Sequence, residues 1–196
     1  MKRFHRDWRM RFDQARRIME EEKRPLLFQL ATFALDGHPA TRTVVFRGFH
    51  GETEQLLFAT DMRSAKVEEI NAHGWGEACW YAAESGEQFR IAGNIRIIDH
   101  TTDDPALGAD RRAIWDSLSD DVRKQFHWPP PGRDRDEKEE MPTKHKIELA
   151  DPPDNFGLLL LIPIRIDYVD LRTRPHRRIL SRPSPAGDWF ERDVNP

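Results

Sequence analysis

Cysteine is almost missing from this 196-residue chain, which carries only Cys79. No intrachain disulfide can form, and no zinc site can rest on paired thiolates. Positive charge is not in excess either: 31 Lys and Arg stand against 34 Asp and Glu, a net charge of -3. Domains held on nucleic acid by a general field are usually basic, so no nucleic-acid partner is expected. Long apolar runs are absent too. The longest, Phe156 to Ile162, is far short of the roughly 20 residues that span a bilayer. The charged start, Met1 to Trp8, has no apolar run behind it to make a secretory signal. We therefore expect a soluble, cytoplasmic protein without a membrane partner. The 8 His fall at no recognisable ligand spacing, so no metal site is expected.

What the chain does have is bulk for a core. It holds 11 Phe and 6 Trp, and its length suits one domain with a charged exterior. Trp8, Phe12, Ala15 and Met19 recur at spacings of three and four, which predicts an amphipathic helix from about Asp7 to Lys23, ended by Pro25. Two strand-forming runs, 26–35 and 40–49, flank Asp36-Gly37-His38-Pro39 and read as a hairpin. The run 56–59 then enters a short helix, 64–73. A second hairpin is expected from 77–83 and 88–99, with Gln88, Arg90 and Arg96 interleaved among apolar residues. Leu107, Ile114, Leu118 and Val122 suggest one or two helices over 105–126. The prolines of His127 to Gly132 and the charges of 133–140 read as an exposed excursion. Gly157 to Val169 is the strongest strand signal, and 177–181 and 189–194 supply the last short strands. Cys79, in the strand-like run Ala78 to Tyr81, is expected to be buried and inert. Six to eight strands linked mostly by hairpins favour a small barrel with peripheral helices, because closure removes sheet edges.

Chemistry concentrates in three stretches. Thr60 and Asp61 precede the short helix, and Ser64 and Lys66 occupy its first turns, so hydroxyls, amides and an ammonium converge where a phosphate would bind. The plainer alternative makes Asp61 an N-cap and Lys66 a solvated charge. Arg42 and Arg47 are five apart in a strand, which sends them to opposite faces and different partners. Gln88 both donates and accepts, as the pyrimidine edge of a flavin requires, although a lone Gln is more often a half-exposed strand residue.

Five segments, in this order, resemble motifs of the pyridoxamine 5'-phosphate oxidase-like flavoproteins: Arg42-Thr-Val-Val-Phe-Arg-Gly-Phe49, Thr60-Asp-Met-Arg-Ser-Ala-Lys66, Glu87-Gln-Phe-Arg-Ile-Ala-Gly93, Arg174-Pro-His-Arg-Arg178 and Trp189-Phe-Glu-Arg-Asp-Val-Asn-Pro196. The resemblance implies a mainly β fold with peripheral helices, a split β-barrel forming a homodimer with FMN at the subunit interface. It implies a single domain over 1–196 with a helical and Pro-rich insertion at about 104–156. By the same token, flavin contacts fall to Arg42, Thr43, Val44, Val45, Arg47, Thr60, Asp61, Ser64, Lys66, Gln88 and Arg178, and substrate contacts to Arg47, Arg174 and His176. The implied activity is hydride transfer from a small anionic substrate to FMN, with the flavin carrying the redox step. Departures from the pattern fall on ligand positions. Arg47 stands in place of lysine, Ala65 in place of a phosphate-binding arginine with Arg63 nearby, and only Tyr168 lies where a tryptophan is expected. Two alternatives remain: a flavin or small-ligand binder without turnover, and a split barrel that holds haem or a deazaflavin.

Overall fold

The structure, a computed structural model, describes residues 7–135, 149–185 and 188–196. In chain order the elements are α1 (Asp7–Glu21), β1 (Leu27–Phe33), β2 (Pro39–Phe49), β3 (Leu56–Asp61), α2 (Ala65–His73), β4 (Trp75–Ala82), β5 (Glu87–Ile98), α3 (Pro105–Ser117), α4 (Asp120–Gln125), β6 (Phe156–Asp170), β7 (Arg177–Pro183) and β8 (Trp189–Val194). The strands hydrogen-bond in the order β3-β2-β1-β4-β5-β6-β7-β8, and β3 also pairs with β6. Six strands thus close on themselves, and β7 and β8 continue outward from β6. Every pairing is antiparallel. This is the split barrel that the motifs implied, with its helices outside the sheet.

The strand boundaries follow local chemistry. Gly37, at φ 85, turns β1 into β2, a conformation that only glycine adopts cheaply. Gly74, at φ 64, caps α2 with its amide on the Ile70 carbonyl. The chain passes from this cap straight into β4, which therefore begins at Trp75 rather than near Glu77, where the alternation becomes visible. Between β5 and β6 the register shifts at Ala92/Gly93. A Cβ on Gly93 would lie 2.0 Å from the Ile162 carbonyl oxygen, so this crossing of backbones requires glycine.

β6 explains why its sequence is apolar without interruption. Leu159 and Leu161 point into the barrel core with Phe28, Phe58 and Phe89. Leu158 and Leu160 point the other way, against Leu57, Ile98, and Leu107, Ile114 and Trp115 of α3. A strand buried on both faces loses the period-two pattern. Asp104 caps α3 by accepting from the amides of Ala106 and Leu107, and the buried Arg111 donates to the carbonyls of Phe156 (2.9 Å) and Pro153 (2.8 Å).

The barrel interior is aromatic, and α1 supplies its centre. Trp8 and Phe12 are fully buried. The Phe12 ring meets those of Phe28, Phe46, Phe49, Trp80 and Phe89 at centroid distances of 5.2 to 6.2 Å. The helix predicted from its apolar spacing thus lays Trp8, Phe12 and Ala15 against the aromatic core while Met10, Gln14 and Arg17 stay exposed. Replacing Phe12 with alanine removes the shared partner of five rings. We expect the unfolding free energy, measured by urea titration, to fall by about 3–5 kcal/mol.

Candidate functional site

A cleft of about 410 Å³ opens where β2 and β3 meet the segment after α3. It is lined by Thr43, Val44, Val45 and Arg47 of β2, by Ala59, Thr60, Asp61 and Lys66, and by Leu118, Val122, Gln125, Phe126, Trp128, Pro129 and Pro131. Two of the three chemistry-bearing stretches therefore converge on one concavity.

Its floor is built for an anion. Lys66 Nζ donates to Ser64 Oγ at 2.7 Å and to Thr60 Oγ1 at 3.2 Å. Ser64 is the N-cap of α2, yet its side chain does not cap the helix; its hydroxyl donates to the Asp61 carbonyl at 2.6 Å. The helix start thus faces the ammonium and two hydroxyls, the array that suits a phosphate. Burial, followed by the nearby charge of Arg42, pushes the Lys66 ammonium below the ordinary lysine value.

Arg42 and Arg47 do take opposite roles. Arg42 turns inward and donates to Glu69 Oε2 at 2.6 Å and to the Thr32 hydroxyl, while Thr32 donates to Glu69. Glu69 and Thr32 are both buried, so the Arg42 charge is matched within the barrel wall. Glu69 escaped the sequence reading; its only signal is a carboxylate next to Ile70 on the buried side of α2. Arg47 sits at the register shift between Phe46 and Gly48, and such a bulge re-aims the extra residue. Burial lowers its guanidinium below the usual arginine value. Its Nε is buried without a hydrogen-bond partner. An orphaned cationic donor on the wall of the cleft fits an incoming anionic or heterocyclic ligand.

Asp61 and Arg63 bind each other. Arg63 donates from Nε to Oδ1 (2.9 Å) and from Nη2 to Oδ2 (2.6 Å), and its amide reaches Oδ1 at 2.8 Å. Asn155 Nδ2 donates to Asp61 Oδ2 at 3.3 Å. Burial alone would raise the Asp61 carboxyl, but these donors outweigh it and hold the group below its ordinary 3.8. Neither Asp61 nor Arg63 offers a free charge to the cleft.

Gln88, Arg178, Arg174 and His176 do not line this cleft. Gln88 faces outward on β5, opposite Tyr81 and Val169. Strands are spaced by ~4.8 Å, so it lies three strands and roughly 14 Å around the sheet from Val45. On the same outer face Arg178 grips Asp167 with two bonds of 2.9 and 2.7 Å. Arg90 and Arg165 meet Glu77 at 2.7 and 2.9 Å. Arg174 and His176 share an exposed loop after β6, where Arg174 Nη1 donates to the Leu171 carbonyl (3.1 Å) and to the His176 ring. Arg172 ties that loop down through paired bonds to Asp170. One chain thus carries two separated half-arrays. Cys79 lies on this face, half-buried, and burial pushes its thiol above the ordinary value.

The Pro-rich stretch is largely exposed, as expected, and it also borders the cleft. Trp128, Pro129 and Pro131 line the same cleft as Thr60 and Lys66. The signal was a tryptophan followed by three rigid rings, which composition alone does not distinguish from a loop. Residues 136–140 of the expected excursion lie outside the described residues.

Comparison with known proteins gives a consistent result. A family model for the FMN-binding domain of pyridoxamine 5'-phosphate oxidase matches residues 5–99. Pyridoxine/pyridoxamine 5'-phosphate oxidase 2 of Arabidopsis thaliana is 35% identical over 170 residues, 86% of this chain and 86% of that protein. A pyridoxamine 5'-phosphate oxidase-related, FMN binding protein of Nostoc punctiforme PCC 73102 superposes with a TM-score of 0.89 at 38% identity, covering 97% of this chain and 98% of that one. PhzG from Burkholderia lata 383, solved with tetrahydrophenazine-1-carboxylic acid, shares the fold with a TM-score of 0.77 at 20% identity, over 95% of this chain and 91% of that one.

The lowered Asp61 value sets a pH signature. Its stabilising contribution is fully present above the unfolded carboxylate value and is lost as pH falls through the lower folded one. The stability gap between the wild type and Asp61→Asn should therefore be constant near neutrality and shrink below about pH 4. Urea melts at pH 7 and pH 3 measure it.

Proposed function

Because this chain belongs to the pyridoxamine 5'-phosphate oxidase-like family of FMN-binding, oxidoreductase-type split barrels, we propose that it is an FMN-dependent oxidoreductase acting on a small anionic substrate as a homodimer. The observation that carries this reading is the cationic cleft, where Lys66, Thr60 and Ser64 converge at a helix start and Arg47 keeps an orphaned donor. In this reading Lys66, Ser64 and Thr60 hold the phosphate, and Arg42 serves from behind by fixing Glu69 and α2. Thr43, Val44 and Val45 present the β2 backbone to the ring, and Arg47 reaches the ring or the substrate.

FMN, when bound, supplies the two-electron chemistry by accepting a hydride from the substrate. The protein binds, orients and excludes water. Arg174 and His176, adjacent on one loop and joined by a hydrogen bond, offer a cationic grip on an anionic substrate group. Gln88 and Arg178 lie too far around the sheet to share a ligand with the cleft of their own chain. A second copy that docks on the outer face would bring them to it.

That face has the character of an interface. Leu27, Phe33, Trp75 and Tyr81 are 44, 50, 43 and 53% exposed, and the register of β1 and β4 puts them on one face as two pairs, Leu27 near Tyr81 and Phe33 near Trp75, at the two ends of the strands. Aromatic and aliphatic side chains gathered in this way mark association surfaces.

Four measurements test the proposal. Purified protein should be yellow and release FMN on heating; a colourless protein that refuses added FMN would remove the cofactor reading. Light scattering should return a dimer, and a monomer that retains FMN would contradict the shared site. Lys66→Met should weaken FMN binding about 10- to 100-fold, in line with ~1.5–3 kcal/mol for a charged hydrogen bond, without lowering the stability of the FMN-free protein. Pyridoxamine and pyridoxine phosphates are the first substrates to assay, with Arg174→Ala and His176→Ala expected to raise KM.

A further inference from the structure

The two sides of the cleft come from distant parts of the chain, yet one carboxylate joins them. On one side is the turn Asp61–Ser64, whose hydroxyl and neighbouring Thr60 and Lys66 form the anion floor. On the other is Phe126–Pro131, the apolar wall. Asp61 sits between them. Arg63 grips Asp61 with both Nε and Nη2, and Nη2 also reaches the Phe126 carbonyl at 3.3 Å. Asn155, just before β6, donates to that same carbonyl at 2.7 Å and to Asp61 at 3.3 Å. The Asn155 carbonyl in turn accepts from the Met62 amide at 2.8 Å.

The wall needs such a tether. The amides of His127 and Trp128 turn back to the carbonyls of Lys124 and Gln125, so they hold the segment to α4 and not to the barrel. Prolines 129, 130 and 131 have no amide to offer. Among the described residues, the hydrogen bonds that reach residues 126–131 from the barrel converge on the Phe126 carbonyl. Beneath it, the Phe126 ring packs against Phe156 and Trp115 at 5.0 and 5.7 Å. The contacts cluster at one end of the wall, and Trp128 lies beyond them, 37% exposed.

We propose that Asp61, Arg63 and Asn155 form a latch that locks the Trp128–Pro131 wall to the phosphate-facing turn, so that the wall closes one side of the cleft and sets how fast FMN leaves. Asp61 is on this view a positioning residue and not a ligand, and the helical, Pro-rich insertion is part of the cofactor site. Because the floor and the wall share Asp61, filling the floor stiffens the wall, and freeing the wall loosens the floor. The inference rests on the FMN reading above for its release-rate arm alone; the latch itself is a property of the ligand-free chain.

The experiment uses full-length protein and two variants, Arg63→Ala and Asn155→Asp. The second preserves volume while turning the Asn155 donor into an acceptor that faces Asp61. FMN release is followed by recovery of free-flavin fluorescence after dilution, and amide hydrogen exchange is read by mass spectrometry with and without FMN. Both variants should release FMN about 10-fold faster. Both should exchange faster over 122–132, with peptides of β4 and β5 unchanged, a local signature that general destabilisation would not give. FMN should slow exchange over 122–132 in the wild type and fail to do so in the variants. Unchanged release and unchanged exchange over 122–132 would overturn the latch. If the wild type takes up no FMN, the functional reading falls. The latch is then judged on the FMN-free proteins, where equal exchange over 126–132 in the wild type and Asn155→Asp would overturn it.

Discussion

The ladder between β3 and β6 is the constraint on which the other features depend. Its six pairs, from Leu56 with Leu161 to Asp61 with Phe156, join strands far apart in the chain and turn an open sheet into a closed barrel. Without it β3 would present a bare edge. The same ladder sorts the leucines of β6 between two environments, the aromatic interior and the underside of α3. It also fixes where chemistry can occur. The last pair of the ladder sets the turn carrying Asp61 and Ser64 against the residues that enter β6, so the Lys66 cluster and the described part of the helical insertion meet at the seam of the barrel.

Electrostatics at that seam follows from an unequal treatment of three cations. Arg42 is matched by Glu69 inside the wall and does architectural service. Among the described residues no carboxylate is bonded to the desolvated Arg47 and Lys66, which is unfavourable for the protein alone and favourable for a ligand that brings negative charge. The burden is carried by the interior, where α1 and five rings of the barrel form a dense aromatic cluster. Stability is concentrated at the centre and given up at the rim, a division common to proteins whose binding groups must be held ready before the ligand arrives.

Much of this could be read from the residues. The period of Trp8, Phe12, Ala15 and Met19 identified α1, and the Asp36-Gly37 turn located the first hairpin, because both are local signals. That the buried face of α1 meets the barrel's aromatic core could not be read, since nothing in an amphipathic stripe says which surface it will meet. The grouping of Arg47, Thr60, Ser64 and Lys66 was legible because a strand end and a helix start lie close in sequence. The wall was not. Trp128 and its prolines acquire their position from Phe126 and Asn155 through contacts across tens of residues, and a Pro-rich stretch has the same composition in solvent as against a cleft. The separation of Gln88 and Arg178 from the rest of the array depends on strand order, which hairpins alone leave open.

The seat of α1 has a further consequence, for how the protein is made. Trp8 packs on Trp189 with ring centroids 5.8 Å apart, Arg11 pairs with Glu191, and the Trp189 indole donates to Glu54. α1 therefore finds part of its docking surface only after β8, far downstream in the chain, has been made. Until then Trp8 lacks its β8 partner, although the rings that surround Phe12 belong to strands made earlier. α1 and β8, far apart in sequence, are thus completed in one docking step outside the six-stranded ring.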